Sequence, residues 1–213
     1  MEITIEKEIT KDLLQKIFCL YDESFSPTVK VSHPKIKKRI LTETYKVITL
    51  NDQSKNCIGF SLISLKPDLK TLFIDYLCVD KKFQKFGYGK KILQSINDKQ
   101  KMFSNYDYTI LECENYLIPY YEKNHYTKIP LSYPIENTTP LYLLYRKRTN
   151  PESTDEYNQL DISMYYKFIR FGLLFNGEII IYCNLFYTWL SLFLFLQEES
   201  IVKLILNFKT THT

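Results

Sequence analysis

The sequence predicts an α+β domain, a mixed and mostly antiparallel sheet flanked by helices, followed by a hydrophobic C-terminal segment. Three observations carry that expectation. Three strand-like segments, 45–50, 57–65 and 71–79, succeed one another through short polar turns, as in an antiparallel meander. A helix and a further strand at 108–113 follow the third, which adds a β-α-β step. A polar stretch then ends this pattern near residue 148, and the composition changes beyond it.

Residues 2–8 alternate apolar and charged side chains, the period of a half-buried strand. Thr10 is placed to cap a helix over 11–21, with Leu13, Leu14, Ile17 and Phe18 on one face. Pro27 marks a loop, and Pro34 opens a short basic helix over 35–41, whose Lys35, Lys37, Lys38 and Arg39 read as a solvated face. After the three strands, a helix begins near Gly89 and runs to about Met102, with Ile92, Leu93 and Ile96 three and four apart. Strand 108–113, helix 117–123 and strand 141–146 close the series, giving the order β-α-α-β-β-β-α-β-α-β.

The domain is expected to span 1–148, with 149–161 as a polar linker and 162–213 as a hydrophobic C-terminal region. Residues 179–196 contain no charge and form a candidate transmembrane helix. Packing of the same run on the domain, as helix or strands, is the alternative. Lys167 and Arg170 precede it, and acidic residues follow, so a spanning orientation would leave the domain in the cytoplasm. The N-terminus has no signal-like apolar run, which agrees with that location.

Composition narrows the function classes. The net charge of +4 is too small to argue for nucleic acid. The five cysteines form no Cys-x-x-Cys pair and read as reduced thiols, three of them within apolar, strand-like runs. The three histidines are scattered, so no metal site is expected.

Residues 72–93, LFIDYLCVDKKFQKFGYGKKIL, carry the chemistry. An apolar strand ends at Val79, the loop Gln84-Lys85-Phe86-Gly87-Tyr88-Gly89 follows, and an amphipathic helix begins at once. Glycines at 87 and 89 permit tight turns and close approach of a ligand. Backbone N–H groups at the helix start form an anion site, and Lys81, Lys82, Lys85, Lys90 and Lys91 surround it with positive charge. A pyrophosphate suits that environment. The Gly-Lys-Ser/Thr ending of a Walker A loop is absent, and the glycines do not fit the Gly-x-Gly-x-x-Gly of a Rossmann fingerprint.

Downstream, residues 111–126 read LECENYLIPYYEKNHY. The two segments together resemble the acetyl-CoA-binding motif and the motif that follows it in the GNAT superfamily of N-acetyltransferases. The form Cys113-Glu114-x-x-Leu117-x-Pro119-Tyr120-Tyr121-Glu122-Lys123 looks like the arylalkylamine (serotonin) N-acetyltransferase-like branch. The resemblance implies that acetyl-CoA binds along Leu77, Cys78 and Val79 and at Gln84, Lys85, Phe86, Gly87, Tyr88, Gly89 and Lys90. It implies that strand 71–79 splays from strand 108–113 to admit the pantetheine arm, and that an N–H near Leu77 or Val79 polarises the thioester carbonyl.

The resemblance further implies that Tyr121 protonates the departing thiol, the alternative being a packed aromatic. Asp75 falls where relatives place a base, and period-2 alternation puts it on the same side as Leu77 and Val79. Base or amine anchor is one reading of Asp75; a structural ion pair or hydrogen bond is the other. The arylalkylamine enzymes carry histidines on this strand, where this chain has Phe73 and Asp75. Their Gly-Phe after the tyrosine helix is here His125-Tyr126, so His125 is expected to be a turn residue. The expected activity is acetyl transfer to a primary amine, a small arylalkylamine or polyamine rather than a protein amine. A non-catalytic acyl-CoA-binding module is the rival.

Overall fold

The computed structural model describes residues 1–98, 102–133 and 141–148, all within the first of the two units into which the chain divides, Met1–Asn158. Strand β1 (Glu2–Glu6) precedes helices α1 (Lys11–Ser24) and α2 (His33–Leu41). Strands β2 (Tyr45–Asn51), β3 (Cys57–Lys66) and β4 (Thr71–Val79) follow, then α3 (Tyr88–Asn97), β5 (Tyr108–Glu114), α4 (Ile118–Glu122), β6 (Thr127–Tyr133) and β7 (Leu141–Lys147). The sheet is seven-stranded in the order β1-β2-β3-β4-β5-β7-β6, antiparallel throughout except for the parallel pair β4–β5.

Local chemistry sets the ends of the helices. Thr10 caps α1, its hydroxyl accepting from the N–H of Leu13 at 3.1 Å. α2 starts from an extended Ser32 with Pro34 in its first turn. The loop between them is pinned from the core side. The Tyr21 hydroxyl donates to the carbonyl of Val31 and accepts its N–H, and the Tyr76 hydroxyl donates to the carbonyl of Val29. α3 ends at Asn97, short of the expected Met102, and residues 99–101 lie outside the described residues.

Apolar clusters cover both faces of the sheet. Ile17, Leu20 and Tyr21 of α1 and Ile36 and Ile40 of α2 pack on Val47, Phe60, Leu62, Tyr76 and Cys78. On the other face Ile92, Leu93 and Ile96 of α3 and Ile118 and Tyr121 of α4 pack on Ile48, Ile63, Leu72, Ile74, Leu111 and Leu144. The central strands are therefore buried on both sides and read as apolar runs.

Arg148 closes the described part of the chain. It is 2% exposed, and its guanidinium donates to the carbonyls of Ile96, Asp98, Met102, Phe103 and Tyr106. It thereby ties the end of α3 and the loop before β5 to the end of β7. Sequence reasoning read this residue as the edge of a linker.

The apolar run 179–196 lies outside the described residues. Among the described residues no helix is long and apolar enough to cross a membrane.

Candidate active site

β4 and β5 pair only from Thr71↔Tyr108 to Ile74↔Leu111. Beyond that point the pairing of β4 with β5 stops and the two strands part, so the sheet opens in the middle. An irregularity in β4 coincides with the opening. Leu62 pairs with Tyr76 and Ile63 with Ile74, which leaves Asp75 as the extra residue of a β-bulge.

The bulge resets the alternation. Leu72 and Ile74 face the α3/α4 cluster, Tyr76 and Cys78 face the α1/α2 cluster, and Leu77 and Val79 return to α3/α4. Asp75 points to the α1/α2 side, where Tyr45 Oη donates to its Oδ1 at 3.1 Å and Ser64 Oγ to its Oδ2 at 2.6 Å. The expectation that Asp75 shares a face with Leu77 and Val79 is thus corrected: one inserted residue moved it to the other side. Burial raises the Asp75 carboxyl above its ordinary range, while the bonds from Ser64 and Tyr45 and the charges of Arg39 and Lys66 pull the other way.

The N–H of Asp80 bonds to the carbonyl of Ile58 on β3, at 2.8 Å. By the two-residue period of a strand, the N–H of Cys78 also faces β3, and those of Leu77 and Val79 face the opening. Cys78 is turned away on both counts, since its thiol is buried in the α1/α2 cluster and burial pushes it up to about 12. It departs in this from the expected lining of Leu77, Cys78 and Val79.

The loop after β4 divides into two halves. In the first, Asp80 Oδ1 accepts the N–H of Lys82, and the N–H groups of Phe83 and Gln84 bond to Asp80 and Lys81. Gln84 Nε2 donates to the carbonyl of Val79 at 3.0 Å and fastens the loop to the strand end. In the second half, every N–H from Lys85 to Lys90 lacks an acceptor among the described residues; the helical ladder starts with Lys91 bonding to Gly87. Lys85 and Gly87 both have positive φ, 68° and 80°. With the N–H groups at the start of α3, this stretch of backbone offers free donors to an anion. Lys85 in this conformation was not foreseen, because only the glycines advertise it.

The two glycines serve different needs. A Cβ at Gly87 would meet nothing within 4 Å, so its requirement is the positive φ. A Cβ at Gly89, in the first turn of α3, would lie 2.6 Å from the Tyr120 hydroxyl. Gly89 therefore lets α4 close on α3. The lysines expected around the loop, Lys81, Lys82, Lys85, Lys90 and Lys91, are all exposed, as is Phe86. Tyr88 lies under the Lys91 ammonium, 5.3 Å from the ring centre.

Tyr121 is 8% exposed and packs on the α3/α4 side among Cys113, Tyr120 and Tyr126. Cys113 lies beyond Leu111, in the part of β5 that pairs with β7 but no longer with β4. The Tyr121 hydroxyl makes no hydrogen bond among the described residues. Burial first, then neighbouring Cys113 and Tyr120, raise its pKa, so it stays protonated. His125 has φ 64° and its N–H bonds to the carbonyl of Glu122, a turn residue as expected. Tyr121 and Asp75 thus stand on opposite faces of the sheet at the opening. Among the described residues no His, Cys, Asp and Glu side chains are grouped to hold a metal.

The sequence profile of the acetyltransferase (GNAT) family matches residues 14–126. No curated protein matches the chain significantly by sequence. Among solved structures, a GNAT-family protein from Bacteroides thetaiotaomicron superposes with a TM-score of 0.58 at 17% identity, over 81% of this chain and 96% of its own. An aminoglycoside 6'-N-acetyltransferase complexed with coenzyme A gives 0.57 at 12% identity, over 72% and 100%. A spermidine N-acetyltransferase chimera from Vibrio cholerae and hSSAT gives 0.57 at 13%, over 70% and 97%. These likenesses concern the fold.

Proposed function

The chain belongs to the acetyltransferase (GNAT) family, and on that premise we propose that it transfers the acetyl group of acetyl-CoA to a small primary amine by direct aminolysis of the thioester. The observation that carries the reading is the pair of features at one end of the sheet: the parting of β4 from β5 beyond Ile74 and Leu111, and the run of free N–H groups from Lys85 to Lys90. The N–H groups and nearby lysines suit the pyrophosphate. The backbone of Leu77 and Val79 suits the pantetheine arm and the carbonyl oxygen. Acetyl-CoA supplies the acyl group and a thiolate leaving group.

The residues then divide the proton work. An alkyl ammonium, with pKa of about 10, must lose a proton before its nitrogen can attack. Asp75, on the α1/α2 face, is the base or anchor for that amine. The C–N bond forms as the C–S bond breaks, and Tyr121, on the α3/α4 face, gives its proton to the sulfur. The new amide nitrogen sheds its second proton, so each turnover releases one proton. Base and acid on opposite faces allow attack and departure from opposite sides of the carbonyl.

A small amine in preference to a protein amine, and kinship with the arylalkylamine branch, are supported by the pattern over 113–123. The uncharged run 179–196 supports membrane attachment of the domain, with its catalytic residues on the cytoplasmic side.

The test is turnover of acetyl-CoA with a panel of amines, read as thiol release and by mass of the product. Tyr121→Phe should slow transfer by about 10–1000-fold while acetyl-CoA affinity holds, the scale of losing a general acid. A wild-type rate in Tyr121→Phe would remove its role. Absence of any acetylated amine, with acetyl-CoA bound, would favour the non-catalytic module.

A further inference from the structure

Helix α2, HPKIKKRIL, carries Lys35, Lys37, Lys38 and Arg39 and no acidic residue. Its lysines are exposed, whereas Arg39 is half-buried and turned toward β2. Arg39 Nη1 donates to Tyr45 Oη at 2.5 Å, and the guanidinium lies 5.3 Å from the centre of the Tyr45 ring. Tyr45 Oη donates in turn to Asp75. Arg39 is thus two hydrogen bonds from the carboxylate that stands at the mouth of the sheet opening.

A guanidinium has five N–H donors, and the bond to Tyr45 is the one that the Arg39 guanidinium makes among the described residues. No carboxylate lies within ion-pair distance of Arg39 there. Lys66 brings a second positive charge beside Asp75, and burial lowers its ammonium to about 8. Two cationic side chains therefore face one carboxyl whose own charge is disfavoured by burial. A second ammonium on the acceptor would meet repulsion here. A carboxylate would meet a planar fork of donors that matches it.

We propose that the acceptor amine carries a carboxylate, gripped by Arg39, and that polycationic amines are poor acceptors. The inference rests on the reading above that the amine enters beside Asp75. It narrows the expected substrate class away from polyamines, and it makes Arg39 a specificity-determining residue rather than part of a solvated face.

Three primary amines of equal chain length test it: hexylamine, ε-aminocaproate and hexamethylenediamine, given to the full chain with saturating acetyl-CoA. Expected are kcat/KM values at least about 10-fold higher for ε-aminocaproate than for hexylamine, about 1.4 kcal/mol, with the diamine lowest. Arg39→Gln should bring the ratio of ε-aminocaproate to hexylamine to near one, and Arg39→Lys should restore part of it. The ratio within each variant cancels a general loss of active protein. If Arg39→Gln fails to fold, the wild-type order decides. Calorimetric affinities of the three amines in the presence of CoA give the same order without turnover. Binding in that order without acetylation would sustain the inference and overturn the proposed reaction. Acetylation with the diamine equal or preferred would overturn the inference and leave the reaction standing. Neither binding order nor acetylation would overturn both.

Discussion

Replacing Gly89 by alanine places a methyl group 2.6 Å from the Tyr120 hydroxyl oxygen, closer than carbon and oxygen approach without displacement. The next nearest atom, Tyr120 Cζ, is at 3.7 Å, an ordinary contact. The collision is therefore with one atom, and Tyr120→Phe removes it. Overpacking of this kind costs about 1–3 kcal/mol. Alanine is better than glycine in a helix by up to about 1 kcal/mol, less in a first turn. Gly89→Ala alone should then destabilise by about 0.5–2 kcal/mol. Tyr120→Phe loses a hydroxyl with no hydrogen-bond partner among the described residues and should be near neutral. In that background Gly89→Ala should be neutral or stabilising, a coupling of about 1–3 kcal/mol. Urea midpoints of the four proteins measure it. Gly87→Ala is the control: its cost, about 1–2 kcal/mol, comes from φ 80° and should not respond to Tyr120→Phe. Additivity of Gly89→Ala and Tyr120→Phe within about 0.5 kcal/mol would refute the assigned role of Gly89 in letting α4 close on α3.

Asp75→Asn should slow acetyl transfer most at pH values well below the amine's pKa of about 10 and least near it, where the amine arrives deprotonated; a flat ratio of variant to wild-type rates from about pH 6 to 10 would exclude Asp75 as the base. The folded-state pKa of Asp75 is raised, so its contribution to stability is present at low pH and lost as pH rises through that pKa; Asp75→Asn should show the smaller decline in denaturation midpoint above about pH 4. Arg148→Met strands five carbonyls and should cost about 3–5 kcal/mol, with Arg148→Lys a poor substitute because an ammonium cannot span them; a loss below about 1 kcal/mol would deny Arg148 its structural role. Full-length protein should require detergent for extraction and the variant lacking residues 162–213 should not; identical partitioning of both into the detergent-free fraction would dispose of the membrane anchor.

What the sequence made legible was local. Apolar period and capping residues located α1, α2 and the meander β2–β4, because each of those signals is written within the element itself. The loop from Gln84 to Gly89 was legible because glycines flanked by a strand and a helix leave few alternatives. β6 was missed. It contains Pro130, it is the edge strand beyond β7, and its pairing slips between Lys128 and Ser132, so the usual alternation is absent. Arg148 was missed for a different reason. A lone arginine after a strand resembles the start of a linker, and its value depends on carbonyls from residues about fifty positions away.

Asp75 joins these two kinds of information. Its identity as an acid within an apolar strand was visible, and so was its candidacy for a site. Its direction was not, because a β-bulge is a property of two strands: β4 carries one residue more than β3 between Tyr76↔Leu62 and Ile74↔Ile63. That single residue decides the chemistry available to Asp75. Without the bulge it would share a face with Tyr121, and the proposed base and the proposed acid would lie on one side of the opening. With it, Asp75 meets Tyr45, Ser64 and, through Tyr45, Arg39, on the face that α2 covers. Of the basic residues of α2, which the sequence assigns to a solvated face, Arg39 alone is thereby linked to Asp75, the premise of the proposal on which amine approaches. The same bulge begins where β4 and β5 part. One irregularity thus coincides with the opening of the sheet, puts Asp75 and Tyr121 on opposite faces and brings Asp75 within two hydrogen bonds of Arg39.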